Sequence, residues 1–170
     1  KDAVVETLTV TASASVTDTQ SVYLDSCSSY DTLYWEHYSN AGTNAMLNAT
    51  DFITSNNAES GNDFYDYVSL SWANGKDNNV WCGNTNGKCL GSEISININV
   101  NPSVKEIQVF TGAWRATNVT SLYHNGEQIA VAPSFTAGDS SARKLVTFAF
   151  STNKETTITI KIHHTLFYSF

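Results

Sequence analysis

The chain is short of positive charge, and that shortage limits its partners. Lys and Arg number 9 among 170 residues, against 16 Asp and Glu, so the formal net charge is −7. A face that binds nucleic acid needs clustered basic side chains, and here the basic residues are scattered. We therefore expect no nucleic-acid partner.

Charge of either sign and long apolar runs are also scarce. Charged residues make up 15% of the chain, while Asn, Ser and Thr are abundant, so much of the surface must consist of uncharged polar groups. This composition is typical of an extracellular, secreted or cell-surface protein. No apolar stretch approaches the length of a membrane span, so we expect no membrane insertion. With 41% hydrophobic residues, residues 1–170 suit one domain with its own core.

Only three cysteines are present, Cys27, Cys82 and Cys89. The segment between the last two is rich in Gly and Asn, which form turns, so the two thiols can meet. We expect a Cys82–Cys89 disulfide and a free Cys27, with three reduced cysteines as the alternative. A zinc site is disfavoured, because no CxxC pair occurs and the adjacent His163 and His164 would point to opposite faces of a strand.

Apolar and polar residues alternate with a period of two along most of the chain, which predicts half-buried antiparallel strands. The clearest case is Ile94–Val100, and its apolar set is expected in the core together with that of the last strand: Ile94, Ile96, Ile98, Ile158, Ile160 and Ile162. Roughly nine strands follow, at residues 6–11, 32–38, 65–72, 94–100, 106–111, 119–124, 128–132, 145–150 and 156–162.

Turn signals indicate how these strands are arranged. Asn125-Gly126 predicts a type I′ hairpin between strands 119–124 and 128–132, because both residues accept positive φ. The only segment that tolerates helix is residues 41–52, where Asn44–Leu47 could form a turn or two. Many short strands with frequent turns predict an all-β fold, an antiparallel β-sandwich of jelly-roll type.

Two tryptophans are candidates for an exposed binding surface. Trp81 lies in a polar setting before the cysteine loop, and Trp114 follows Gly112 at the end of a strand. The alternative is that each indole plugs the end of the sandwich, since Trp is usually well buried. Trp35 shares the more apolar face of its strand and is more typical of core, whereas Tyr34 is on the face expected to meet solvent.

A sugar ring stacks one face on an aromatic plane, and its hydroxyls need fixed donors and acceptors. Asn78 and Asn79 stand just before Trp81, and Arg115 directly follows Trp114. The stretch from Trp114 to Asn118 therefore also offers both kinds of group. Asn118 begins an N-x-Thr sequon as well, a pattern common enough by chance to decide nothing.

Four short motifs resemble those of known carbohydrate-binding domains. They are Asp31-Thr32-Leu33-Tyr34-Trp35-Glu36-His37, Ser69-Leu70-Ser71-Trp72-Ala73-Asn74-Gly75, Val109-Phe110-Thr111-Gly112-Ala113-Trp114-Arg115-Ala116-Thr117 and Leu122-Tyr123-His124-Asn125-Gly126. In that order they are similar to motifs of jelly-roll, galactose-binding-like modules that are appended to secreted microbial glycan-active enzymes and surface proteins.

The resemblance implies a non-catalytic polysaccharide-binding module within a larger secreted or surface protein. It carries a binding role over to Trp114, Arg115 and Trp35, requires no cofactor, and is compatible with a structural calcium ion, although no oxygen-rich calcium loop identifies ligands. Two features depart from the pattern: the Cys82–Cys89 loop, and Tyr34 where an acid is usual.

Two other classes of function stay open. A glycoside-active enzyme would need two carboxylates facing each other across a cleft, and no local signature marks such a pair or a G-x-S-x-G nucleophile elbow. A structural or adhesive surface domain that binds protein would instead use a flat sheet face or an unpaired strand edge. We expect a binding domain rather than an enzyme.

Overall fold

A computed structural model of the chain describes residues 6–19, 21–23, 35–39, 42–47, 53–56, 59–60, 69–72, 75–77, 82–83, 93–113, 115–139 and 142–166. The description includes side chains at residues 6–19, 93–113, 115–139 and 142–165, and elsewhere it is confined to the backbone. These residues form strands and turns, and no helix occurs among them.

The described residues form sixteen strands. In chain order they are β1 Val10–Asp18, β2 Ser21–Tyr23, β3 Trp35–Ser39, β4 Gly42–Leu47, β5 Ile53–Asn56, β6 Glu59–Ser60, β7 Ser69–Trp72, β8 Gly75–Asp77, β9 Cys82–Gly83, β10 Glu93–Val100, β11 Glu106–Ala113, β12 Ala116–His124, β13 Glu127–Val131, β14 Phe135–Ala137, β15 Ala142–Thr152 and β16 Thr156–Leu166.

Two antiparallel sheets contain all of the long strands. Sheet 1 has the order β1-β15-β11, and sheet 2 has the order β13-β12-β16-β10-β5, with β14 also paired to β12. The remaining short strands form three small sheets, β2-β7-β8, β3-β4 and β6-β9, in which only the β2–β7 pair is parallel. The chain is therefore all-β and mainly antiparallel in its described part.

One hydrophobic cluster joins the two larger sheets. Sheet 2 supplies the alternating isoleucines of β10 and β16 together with Leu122, and sheet 1 supplies Ile107, Val146, Phe148 and Phe150. All six isoleucines expected in the core are buried, with Ile158 fully excluded from solvent. Burying a large aliphatic side chain contributes about 1.5–3 kcal/mol each, so this cluster dominates the stability of the fold.

The clearest sequence signals are confirmed. Each of the nine predicted strands overlaps an observed one, and the seven others are of six residues or fewer. Strands β12 and β13 pair as a hairpin whose turn residues, Asn125 and Gly126, have φ of 49° and 79°. Positive φ at both positions is what a type I′ turn requires.

Two details of local structure differ from what the sequence indicates. The first strand begins at Val10 rather than residue 6 and continues to Asp18, because its apolar positions extend through two small alanines. The segment that tolerates helix contains β4, which pairs with β3 from Trp35 to Ser39. Pairing with a neighbouring strand overrides a weak local preference for helix.

Candidate functional site

The chain crosses from sheet 1 to sheet 2 through a connection of two residues, Trp114-Arg115. Strand β11 ends at Ala113 and strand β12 begins at Ala116, and both of these alanines are buried. Trp114 itself lies outside the described residues. Arg115 has φ of 48°, a left-handed conformation that costs a non-glycine residue about 1 kcal/mol or more.

Contacts with the residues that follow β14 hold Arg115 in this conformation. Its backbone N–H donates to the carbonyl oxygen of Gly138 at 2.9 Å. Its Nε donates to Oδ1 of Asp139 at 2.8 Å, with the two side chains 33% and 78% exposed. Pairing of β14 with the start of β12 brings these residues together, since Ala137 is opposite Ala116. An exposed ion pair adds little stability, but this one orients the guanidinium plane.

Uncharged hydroxyl groups lie next to this ion pair. Thr117 follows Ala116 on β12, and its Oγ1 is 2.9 Å from Oγ1 of Thr136 in the exposed part of the β12–β14 ladder. The described part of the connection therefore presents hydroxyl, guanidinium and carboxylate groups. Such a set exchanges hydrogen bonds with the hydroxyls of a neutral polar ligand.

A buried polar network lies on the inner side of the connection. Asn118 is 1% exposed, and its amide nitrogen donates to the carbonyl oxygen of Gly112 at 2.9 Å and to Oγ1 of Thr111 at 3.2 Å. Its amide oxygen accepts from the hydroxyl of Thr120 at 2.8 Å. Asn118 is therefore a structural residue, and its amide is not free to hydrogen-bond a sugar. A sequon asparagine with its amide engaged in this way offers no acceptor site in the folded domain.

Gly112 is required where β11 meets this network. A Cβ atom at residue 112 would lie 2.8 Å from the carbonyl oxygen of Ala142 on β15. Because that oxygen belongs to the backbone of a paired strand, it could move only by disturbing the ladder. The absence of a side chain thus lets β11 and β15 approach closely just before the connection.

His164 on β16 completes the network from sheet 2. Its Nε2 lies 2.8 Å from the carbonyl oxygen of Gly112, so Nε2 carries the proton and donates. The contact of Nε2 with the amide nitrogen of Asn118 at 3.1 Å then joins two donors, and both amide hydrogens already have the acceptors given above. Nδ1 is buried and has no hydrogen-bond partner among the described residues.

The environment of His164 favours the neutral ring. Burial lowers its pKa, the hydrogen bond to Gly112 opposes that shift, and the charge of His163 adds to the lowering. His163 points the other way and is exposed, with Nδ1 3.8 Å from Oε2 of Glu93. The two adjacent histidines thus lie on opposite faces of β16, as the sequence predicts.

Most of the predicted site residues lie where the structure gives no side chain. Tyr34, Asn78, Asn79, Trp81, Cys89 and Trp114 are outside the described residues, and Trp35 and Cys82 are described by backbone alone. Trp35 begins β3 opposite Leu47, and Cys82 begins β9 opposite Ser60. The Cys82–Cys89 disulfide therefore stays a prediction.

Sequence reasoning missed the partners of Arg115. Gly138 and Asp139 come from the turn after β14, and Thr136, the partner of Thr117, comes from β14 itself. Neither this strand nor this turn was predicted. The signal was present but short: Phe135-Thr136-Ala137 alternates apolar and polar residues, and Gly138-Asp139 follows at once. Phe135 and Ala137 are both buried, as that alternation requires.

The described residues provide no ready-made metal centre. Among them no group of three or more His, Cys, Asp or Glu side chains is placed to hold a metal ion. The structural calcium ion stays a prediction, because several acidic residues of the chain lie outside the described ranges. The described part of the chain also contains no helix that is long and apolar enough to cross a membrane.

Comparison with known proteins gives no relative for this chain. No protein-family model matches it, and neither a curated protein nor a solved structure matches it significantly. Its function must therefore be argued from its own residues.

Proposed function

We propose that this chain is a non-catalytic carbohydrate-binding domain with a β-sandwich fold of jelly-roll type. The ligand is a polysaccharide, held by aromatic stacking and by hydrogen bonds from fixed polar groups. The parent is a larger secreted or cell-surface protein.

The observation that carries this proposal is the fixed guanidinium of Arg115 in the Trp114-Arg115 connection. The left-handed backbone, the Gly138 hydrogen bond and the Asp139 ion pair hold this residue, and the sequence places an indole directly before it. A planar hydrogen-bonding group next to an aromatic ring suits a sugar, whose C–H face stacks while its hydroxyls are bound.

The supporting residues come from the sequence alone. Trp81 with Asn78 and Asn79 would form a second set of aromatic and amide groups, and Tyr34 and Trp35 would extend the aromatic surface. A Cys82–Cys89 disulfide would restrain the loop that follows Trp81. The site requires no cofactor, and a calcium ion would act only in supporting the loops.

Affinity at one such site is expected to be weak. A shallow and hydrated contact gains little beyond the cost of ordering the ligand, so dissociation constants should lie in the micromolar to millimolar range, about 4–8 kcal/mol. Retention on a polymer would then come from several copies or domains in the parent protein.

Affinity electrophoresis through gels containing soluble polysaccharides, with and without EDTA, tests the proposal. The panel should include α-glucans, β-glucans, xylan, mannan and pectin. Retardation in one gel names the ligand class, and its loss with EDTA implicates calcium. Unchanged migration in every gel would contradict the proposal.

Substitutions then locate the site. Trp114→Ala should abolish retardation and Arg115→Lys should weaken it, since an ammonium group lacks the planar fork. Tyr123 lies on the outer face of sheet 2, and Tyr123→Ala is the matched aromatic control. This variant should be retarded in the gel as much as the unmodified domain. A Trp114→Ala domain that no longer melts cooperatively would show instead that this indole belongs to the core.

A protein-binding or adhesive role is the second candidate, and one observation favours it. Strand β1 is a long edge of sheet 1 that is uncharged from Val10 to Thr17, which is the kind of surface that pairs with another strand.

A further inference from the structure

Strand β1 is an edge strand with few of the features that normally prevent edge pairing. It lies at one end of the order β1-β15-β11, and its register with β15 runs without a bulge from Val10, opposite Thr152, to Asp18, opposite Lys144. Residues 10–17 contain no charged residue and no proline. Natural edges are usually blunted by charge, proline, a bulge or short length.

Two hydrogen bonds at the C-terminal end of β15 show which backbone groups of β1 point outward. The Asn153 N–H donates to the Thr9 carbonyl across the β1–β15 pair, while the Phe150 N–H donates to Lys105 on the other side of β15. Phe150 is opposite Ala12, so Ala12 is in a non-hydrogen-bonded pair. By alternation, the N–H and C=O groups of Val10, Ala12, Ala14 and Val16 point away from β15. No described strand forms a ladder with that side.

The other edges of the two sheets are protected. Strand β13 has five residues, begins with Glu127 and is bulged against β12. Strand β5 has four residues and is bulged against β10. Strand β11 carries Glu106, and its Gly112 carbonyl is engaged by sheet 2. Among the described strands of these sheets, β1 is the long and regular edge; β13 of sheet 2 lies near it but forms no ladder with it.

The sequence of β1 reads nearly the same in both directions about Ser13. Thr9-Val10-Thr11-Ala12-Ser13-Ala14-Ser15-Val16-Thr17 places Val10 and Val16, and Ala12 and Ala14, at equal distances from that centre. An antiparallel pair of two such strands would set like residues opposite each other. A two-fold dimer interface is made in this way, by one surface meeting its own copy.

We propose that two copies of this chain associate through their β1 strands, antiparallel and about a two-fold axis at Ser13. The two copies of sheet 1 then form one continuous six-stranded sheet. Occupancy of this edge by a second copy does not depend on carbohydrate binding.

The chemistry of the two faces agrees with this register. On the core side, Val10 would be opposite Val16 and Ala12 opposite Ala14, which continues the apolar layer across the axis. On the exposed side, hydroxyl groups would pair, with Ser13 opposite its own copy. Four hydrogen-bonded residue pairs would supply about eight backbone hydrogen bonds, and Thr–Ser and β-branched pairs favour such ladders.

Sedimentation equilibrium over a range of protein concentrations tests the association. The unmodified chain should dimerise, and Ser13→Lys should raise the dissociation constant about tenfold or more, because two ammonium groups would be opposite at the axis. Ser151→Lys is the matched control. Ser151 is also exposed, but it lies on β15 rather than on the edge strand, so the two introduced ammonium groups of a dimer would be too far apart to repel each other effectively. It should leave the constant unchanged.

A cysteine cross-link tests the register. A non-hydrogen-bonded antiparallel pair has its Cα atoms about 4.5 Å apart, within the range a disulfide spans. Ser13→Cys should therefore form a disulfide-linked dimer under mild oxidation, while Thr11→Cys should not, because its opposite residue is Ser15. Both variants keep the three native cysteines, and the unmodified chain measures the background.

Three results would overturn the proposal. They are a monomer at all concentrations up to about 1 mM, equal dimerisation of Ser13→Lys and Ser151→Lys, and equal cross-linking of the two cysteine variants.

Discussion

Replacing Asn118 with alanine should destabilise the domain far more than its residue type suggests. Asparagine is usually a surface residue, but this one is 1% exposed between the two sheets. Its amide bonds the Gly112 carbonyl, the Thr111 hydroxyl and the Thr120 hydroxyl at 2.9, 3.2 and 2.8 Å. Alanine removes all three hydrogen bonds at once.

The magnitude follows from what each former partner is left with. The Gly112 carbonyl keeps the hydrogen bond from His164, so its loss is small. Thr120 is 1% exposed, and its hydroxyl would be left without that acceptor in a buried site. A net hydrogen bond contributes about 1 kcal/mol, and a buried group left unpaired costs about 1–3 kcal/mol. We therefore expect Asn118→Ala to lower the free energy of unfolding by about 3 kcal/mol.

Urea unfolding followed by tryptophan fluorescence measures this loss. Thr117→Ala is the matched control, because it is the next residue on β12 and makes its hydroxyl contact with Thr136 in an exposed position. That variant should change stability by less than about 0.5 kcal/mol. If Asn118→Ala lowered the free energy of unfolding no more than Thr117→Ala does, the network could not be holding the two sheets together.

Two further predictions concern neighbouring residues of the same region. Burial lowers the pKa of His164. Below about pH 6.5 the unfolded chain therefore binds a proton at this histidine more readily than the folded chain does. The contribution of neutral His164 to stability is present above that pH and is lost as the pH falls toward the lowered pKa. The unfolding free energy measured from pH 7.5 to pH 5 should fall more steeply in the unmodified chain than in His164→Gln. Equal slopes in the two proteins would refute the assignment. Arg115→Gly and Arg115→Ala both remove the ion pair to Asp139, but only glycine accepts φ of 48° without strain. The free energy of unfolding measured in urea should therefore be about 1 kcal/mol higher for Arg115→Gly than for Arg115→Ala. Equal stability of the two variants would show that the backbone strain is absent.

The sequence predicts those parts of the fold that depend on neighbouring residues of one strand or one turn. Ile94, Ile96 and Ile98 alternate with Ser and Asn, so their side of β10 must be the buried one whichever strands lie next to it. Asn125-Gly126 is similarly local, because the two turn residues themselves accept positive φ. Neither inference requires knowledge of a distant residue.

The parts that sequence does not predict depend on distant partners. Alanine differs little from serine in hydrophobicity, so the alternation around Ala12 and Ala14 is too weak to predict a strand there. The full extent of β1 is set by its register with β15. Asn118 shares the Gly112 carbonyl as its acceptor with His164, 46 residues along the chain. Arg115 is fixed by Asp139, 24 residues along. Such pairs become visible only when the strands are assembled.

These long-range contacts support the binding role proposed for the Trp114-Arg115 connection. Before it, the Gly112 carbonyl accepts hydrogen bonds from Asn118 and His164; after it, the Arg115 N–H donates to Gly138. The backbone is thus anchored on both sides of the connection, and a weakly bound ligand would not have to supply the energy to order it. Asn118→Ala should consequently weaken polysaccharide retention even under conditions where the domain is still folded. Full retention by a folded Asn118→Ala domain would mean that the conformation of the connection does not depend on the Asn118 hydrogen bonds.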